Sequence, residues 1–203
     1  MLNLTRSLLK RDDGAALVEF TLLSSLLIVA TGGIVDFTFA LFEWNSATKA
    51  VQQGARLAAV SSPVDSTLTS ITGLGSGINP GDPWTVSFSR VCTGSNATCT
   101  GGTYTATGMN TLVYGRGLSA CGAPPDLAGM CNIYPKILPA NVKVTYRSSG
   151  LGFAGRPGGP VPTITVELTG LTYNLIFLGT FLGGASITLP PLSATVTGED
   201  LKS

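Results

Sequence analysis

The sequence predicts an α+β protein: one long N-terminal helix, transmembrane in its first half and amphipathic in its second, packed on a small, mainly antiparallel β head. Three observations predict it. An apolar run with one internal charge occupies residues 20 to 42, a helical spacing of small and apolar residues continues beyond it, and β-branched runs separated by Gly, Ser, Thr and Pro fill the remainder. With only 11% charged residues and a mean hydropathy of +0.37, the composition suits a membrane or assembly context better than free solution.

Residues 1–14, MLNLTRSLLKRDDG, carry Arg6, Lys10 and Arg11 and stop at a glycine before the apolar run, which reads as a targeting leader. Phe20 to Phe42 then suffices to cross ~30 Å of hydrocarbon at ~1.5 Å per residue. The basic residues precede this span and the long remainder follows it, so the positive-inside rule puts the N-terminus in the cytoplasm and the head outside. Past the span, Trp44, Ala47, Val51, Gly54, Ala55 and Ala58 recur at three- and four-residue steps, opposite Asn45, Lys49, Gln52 and Arg56. Ser61, Ser62 and Pro63 signal the stop. The predicted helix, residues 15–62, is about 45 residues long and so ~70 Å. Its small residues, Ala47, Ala50, Gly54 and Ala58, permit close approach by a sheet or another helix.

Residues 63–203 form the predicted head. Strands are expected at 84–91, 141–148, 162–171, 185–189 and 193–198, with loops at 73–83 and 152–162 and a loop-rich, stapled stretch from Cys92 to Cys131. Gly73, Gly75 and Gly77 lack the flanking strand, helix and Lys-Ser/Thr of a phosphate loop and read as a flexible connection. Leu171 to Leu189 is uncharged and fairly apolar; its glycines, threonines and Asn174 argue against a second span and for packing on the head or an exposed apolar surface.

Composition excludes several classes. Twelve basic and eleven acidic residues are scattered without a basic stripe, which argues against nucleic acid. Histidine is absent, removing the commonest general base and metal ligand. The head carboxylates, Asp65, Asp82, Asp126, Glu167, Glu199 and Asp200, show no acid pair at motif spacing. No cofactor or metal is expected. Cys92, Cys99, Cys121 and Cys131 follow no zinc-ligand spacing and suit an oxidising compartment. Three pairings are open, of which Cys92 with Cys99 and Cys121 with Cys131 each close a short loop.

The junction Gly14-Ala15-Ala16-Leu17-Val18-Glu19-Phe20 resembles the G-x-x-x-x-E-[FY] motif of prepilins of the tight-adherence (Tad, or Flp) pilus family. A carboxylate at the edge of a membrane helix is expensive and needs a reason. In that family a membrane aspartyl prepilin peptidase cuts after the glycine, and the glutamate is available to pair with a neighbouring subunit's new N-terminus. The resemblance therefore implies cleavage between Gly14 and Ala15 and a subunit-assembly role for Glu19, with Phe20 beside it. The plain alternative is a signal anchor with an interfacial glutamate. Gly33-Ile34-Val35-Asp36-Phe37, its continuation to Asn45, and Gln53-Gly54-Ala55-Arg56-Leu57-Ala58-Ala59 are similar to the TadE-like minor pilins, or pseudopilins, of the same system. The likeness is strongest over residues 11–60 and returns weakly at Leu175 to Gly184. Asp36 lies ~25 Å beyond Glu19 and about 100° around the helix, so one partner helix cannot easily serve both; an interfacial acid and a subunit contact are the two readings of it.

The resemblance implies a pilin-like fold and a structural, non-enzymatic role in assembling an adhesive pilus. Its implied partners are a prepilin peptidase, a major Flp-like pilin, other minor pilins, the inner-membrane assembly platform and membrane lipid. The implied location is the bacterial inner membrane, single-pass, with the head periplasmic and incorporation in a surface pilus a further expectation. The rival readings are a minor pseudopilin of a secretion system and a membrane-anchored periplasmic binding or enzymatic domain.

Overall fold

The apolar run and the small-residue spacing after it join into one helix, α1 (Asp12–Val60). It ends before Pro63, whose missing N–H and bias against a preceding helical residue stop propagation. The computed structural model describes residues 12–75, 77–123, 126–181, 183–198 and 201. Residues 1–11 of the expected leader, and Glu199 and Asp200, lie outside the described residues. The chain divides into two compact units, one holding the chain up to Phe42 with Tyr173–Ile187, the other Glu43–Thr172 with Thr188–Ser203. The division falls inside α1 and not at residue 62, because the outer half of the helix shares its core with the head.

Among the described residues seven strands follow α1: β1 (Ser89–Thr93), β2 (Thr98–Thr100), β3 (Val142–Leu151), β4 (Val161–Leu168), β5 (Thr172–Asn174), β6 (Ser186–Thr188) and β7 (Leu192–Thr197). Five make an antiparallel sheet in the order β2-β1-β3-β4-β7, and β5 pairs with β6. The alternation that predicted β4 is realised: Pro162, Ile164, Val166 and Leu168 point inward, Thr163, Thr165 and Glu167 outward. Opposite them Val144 faces Val166 and Tyr146 faces Ile164, and these side chains share a buried core with Ala47, Ala50, Val51, Ala55 and Ala58 of α1. Small helix residues let the sheet's larger ones fill the space between.

The expected strand 84–91 pairs only from Ser89. Ahead of it Trp84 turns its indole N–H onto the Val86 carbonyl (2.6 Å) and meets Phe88 edge-on, so local side-chain bonding replaces the ladder. Among its described residues, the stretch expected to be loop-rich holds two helices, α2 (Ala106–Tyr114) and α3 (Met130–Ile133). Buried Met109, Leu112 and Val113 give α2 its inner face despite the poor helix formers Thr107, Gly108 and Asn110. Between β5 and β6 lies the one-turn helix α4 (Phe177–Phe181).

Candidate assembly and membrane interface

In the first unit, α1 is bare from Gly14 to Thr31 apart from a half-buried Ser24. Leu17, Leu22, Leu23, Leu26, Leu27 and Ile28 are exposed, and Phe20 is 71% exposed, so the apolar surface is left to a surrounding medium. The helix is long and apolar enough to cross a membrane. Its hydroxyls need no water: Thr21, Ser24, Ser25, Thr31 and Thr38 donate back to carbonyls three or four residues earlier. Gly14 and Ala15 are exposed, and nothing stands within 4 Å of where a Cβ on Gly14 would lie. Glu19 lies on the same exposed stretch and forms no ion pair among the described residues.

Asp36 is a different case. It is 1% exposed, and its carboxylate accepts from the backbone N–H groups of Ile176 (2.9 Å), Phe177 (3.1 Å to each oxygen) and Leu178 (2.8 Å). These are orphan donors at the start of α4, so a carboxylate from α1 caps a helix about 140 positions downstream. One turn before Asp36, buried Gly32 makes room: a Cβ there would stand 3.2 Å from the Phe177 Cβ. Read from the sequence as an interfacial acid or a subunit contact, Asp36 is engaged by backbone donors of its own chain, a donor set that no local spacing reveals. Tyr173–Ile187 likewise groups with the apolar half of α1 and leaves Ile176, Phe177 and Ile187 exposed; with five residues, α4 is too short to cross a membrane.

In the head unit, Glu43 at the inner end of the amphipathic segment accepts from Tyr134 Oη (2.9 Å) and pairs with Lys136. Burial first, then the hydrogen bond to Glu43 and its charge, push the Tyr134 hydroxyl well above its ordinary pKa. Further out, Gln53 donates to the Ala128 carbonyl (3.1 Å). Where the chain leaves α1, the Val64 N–H donates to the buried Tyr146 Oη (3.0 Å). Asp65 Oδ1 accepts from Thr67 N, Thr67 Oγ1 and Thr103 N (3.0, 2.7 and 2.9 Å), while Arg90 Nε lies 3.8 Å from its other oxygen. The structure pairs Cys92 with Cys99 and Cys121 with Cys131. The first joins residues directly opposite across β1 and β2, Cα atoms 4.0 Å apart; the second ties the 121 loop to α3.

A hollow of about 430 Å³ on the head is lined, among the described residues, by the hydroxyl-bearing Ser62, Ser66, Thr69, Thr105 and Thr107 and by no charged side chain. Among the described residues no group of three His, Cys, Asp or Glu is placed to hold a metal. Sequence reasoning missed the donors to Asp36, the Glu43 cluster and the Asp65 cluster, all of which depend on residues distant in the chain.

Residues 14–56 match the family model described as TadE-like protein. No curated protein and no solved structure matches the chain. The matched stretch begins at the junction glycine, runs through the bare apolar helix with Glu19 and Asp36, and ends among the small residues that dock on the head. This N-terminal segment, about a fifth of the chain, is similar to TadE-like proteins.

Proposed function

We propose that the protein is a structural minor pilin or pseudopilin that takes part in assembling a tight-adherence pilus after its leader is removed between Gly14 and Ala15. α1 spans the inner membrane with its N-terminus cytoplasmic, and the disulfide-linked head faces the periplasm. The observation that carries this reading is the TadE-like match over residues 14–56 falling on a helix whose apolar surface is unpartnered. Its partners are the prepilin peptidase, a major Flp-like pilin, other minor pilins and the membrane assembly platform.

Cleavage creates an ammonium at Ala15, and the exposed Glu19 carboxylate offers it a counter-charge on an adjacent subunit. An unpaired charge costs ~2.5–3.5 kcal/mol at the bilayer centre and less near its edge, and an ion pair in low dielectric offsets part of that while fixing axial register.

The test has two readouts. Intact-mass analysis of the mature protein should give an N-terminus at Ala15; one lying after the apolar run would mean an ordinary secreted protein and end the pilin reading. Glu19→Gln should leave insertion and cleavage intact while impairing crosslinking to the major pilin and piliation at matched expression. Normal crosslinking and piliation would make Glu19 a bystander.

A further inference from the structure

We propose that residues 175–187 are a second membrane contact: an uncharged hairpin lying in the outer leaflet of the bilayer, against α1, and fastened there by Asp36. The inference rests on reading α1 as a membrane helix and adds a lipid-facing element that a single-pass description lacks.

Depth comes first. From Gly14 to Asp36 the helix rises ~33 Å, about the ~30 Å of a bilayer's hydrocarbon core. With its start at the cytoplasmic edge, Asp36 lies at the outer edge. The exposed apolar surface does not end there, since Phe37, Phe39, Leu41 and Phe42 continue it into the depth of the outer headgroups. The hairpin packs on the helix just inside Asp36, Phe177 over Gly32 and Leu178 beside Gly33.

Chemistry agrees with depth. No charged residue lies between Glu167 and Glu199. Ile176, Phe177 and Ile187 are 54%, 49% and 48% exposed, forming apolar surface continuous with that of α1 within the same unit. A loop bathed in water could leave backbone N–H groups to solvent, whereas in lipid each must be paired inside the protein. Here five of those N–H groups are paired within the chain. Leu175 N–H donates to Ala185 O (3.2 Å), those of Ile176, Phe177 and Leu178 to Asp36, and Gly184 N–H to Gly179 O (2.7 Å). The Thr180 hydroxyl turns back onto Ile176 O (3.0 Å). The Asp36 carboxylate, costly in such a place if unpaired, is stabilised by the donors that α4 would otherwise leave bare. Each half of the contact makes the other tolerable at that depth.

The experiment uses the full chain, disulfides intact, in phosphatidylcholine vesicles, with one introduced cysteine labelled by a polarity-sensitive fluorophore at Ile176→Cys, Ile187→Cys, Leu26→Cys or Ser95→Cys. Quenching by nitroxide-bearing lipid is compared with quenching by aqueous iodide. The Leu26 label reports the spanning helix and the exposed Ser95 label reports water. Labels at Ile176 and Ile187 should be quenched by nitroxide lipid, as at Leu26, and should show an iodide rate several-fold below that at Ser95. Iodide quenching equal to that at Ser95 overturns the proposal, and so does shielding from both quenchers, which would mean that protein covers the hairpin. Should the Leu26 label escape the lipid quencher, the membrane-helix reading itself fails; if Leu26 is quenched and the hairpin labels are not, only this inference does. Asp36→Asn, which keeps one acceptor oxygen and loses the charge, should raise the iodide rate at Ile187 several-fold while leaving Leu26 unchanged. An unchanged Ile187 rate would remove Asp36 as the fastening.

Discussion

Replacing Gly54 by alanine tests how the outer half of α1 is held to the head. The glycine is buried, and a Cβ built on it would lie 2.5 Å from Met130 Sδ, 2.9 Å from its Cγ and 3.2 Å from its Cε. Met130 is 0% exposed, so its side chain has no solvent to swing into. Two effects oppose each other. Helix propensity favours alanine over glycine by about 1 kcal/mol, whereas overpacking a filled core costs ~1–3 kcal/mol. The net for Gly54→Ala is a loss of roughly 0–2 kcal/mol, too near zero to decide on its own. The double-mutant cycle decides. Met130→Ala alone should cost ~2–5 kcal/mol by leaving a cavity. In that background Gly54→Ala meets no sulfur, regains its propensity and partly refills the space, so it should stabilise. The coupling between the two sites should therefore be ~1–3 kcal/mol, read from denaturant unfolding of the four full-length variants in one detergent. Additivity within about 0.5 kcal/mol would show that Met130 does not limit the approach at Gly54, refuting the packing argument.

Three further outcomes follow from the head. Tyr146→Phe leaves the Val64 N–H without its acceptor in a buried site and should cost about 1–3 kcal/mol, lowering the melting temperature of the head by several degrees; a change under 0.5 kcal/mol would mean that water reaches Val64. Burial raises the hydroxyl pKa of Tyr146, Tyr134 and Tyr104 above the ordinary 10.0. Each therefore binds its proton more tightly folded than unfolded, so its contribution is complete below pH 10.0 and is lost as pH rises from there through the folded-state values; stability measured against pH should fall on that alkaline side, less steeply in Tyr146→Phe. Non-reducing peptide mapping of the full chain, isolated with free thiols blocked, should recover Cys92 linked to Cys99 and Cys121 linked to Cys131, each loop contributing ~2–3 kcal/mol, with crossed links or free thiols as the contrary result.

What was legible in the sequence was whatever repeats at short range. The apolar run before Trp44, the spacing of Ala47, Gly54 and Ala58, and the alternation Ile164, Val166, Leu168 each state which surface is covered, and α1 and β4 follow them. α2 was hidden because Thr107, Gly108 and Asn110 disguise it, though Met109, Leu112 and Val113 keep the three- and four-residue steps of a buried helix face. The Trp84–Phe88 run has strand composition, but Trp84 bonds to its own neighbour's carbonyl and ends the ladder early. Glu19 stands out as a carboxylate in an apolar run. Asp36 stood out equally, yet its partners are backbone N–H groups, which carry no side-chain signature, and they arrive from residues 176–178.

The division of the chain into two units has a practical corollary for anyone wishing to handle the head by itself. The polypeptide passes between the units at Phe42–Glu43, again at Thr172–Tyr173 and once more at Ile187–Thr188. A single protease cut in α1 would therefore leave the head tethered by two more strands of chain, and an N-terminal truncation alone would carry a greasy lobe deprived of the aspartate that organises it. The ends of that lobe are already clasped, because the Leu189 N–H donates to the Leu171 carbonyl (2.8 Å). Excising 173–187 and bridging the gap with a short Gly-containing turn, together with starting the chain at Glu43, is the cut that respects the architecture.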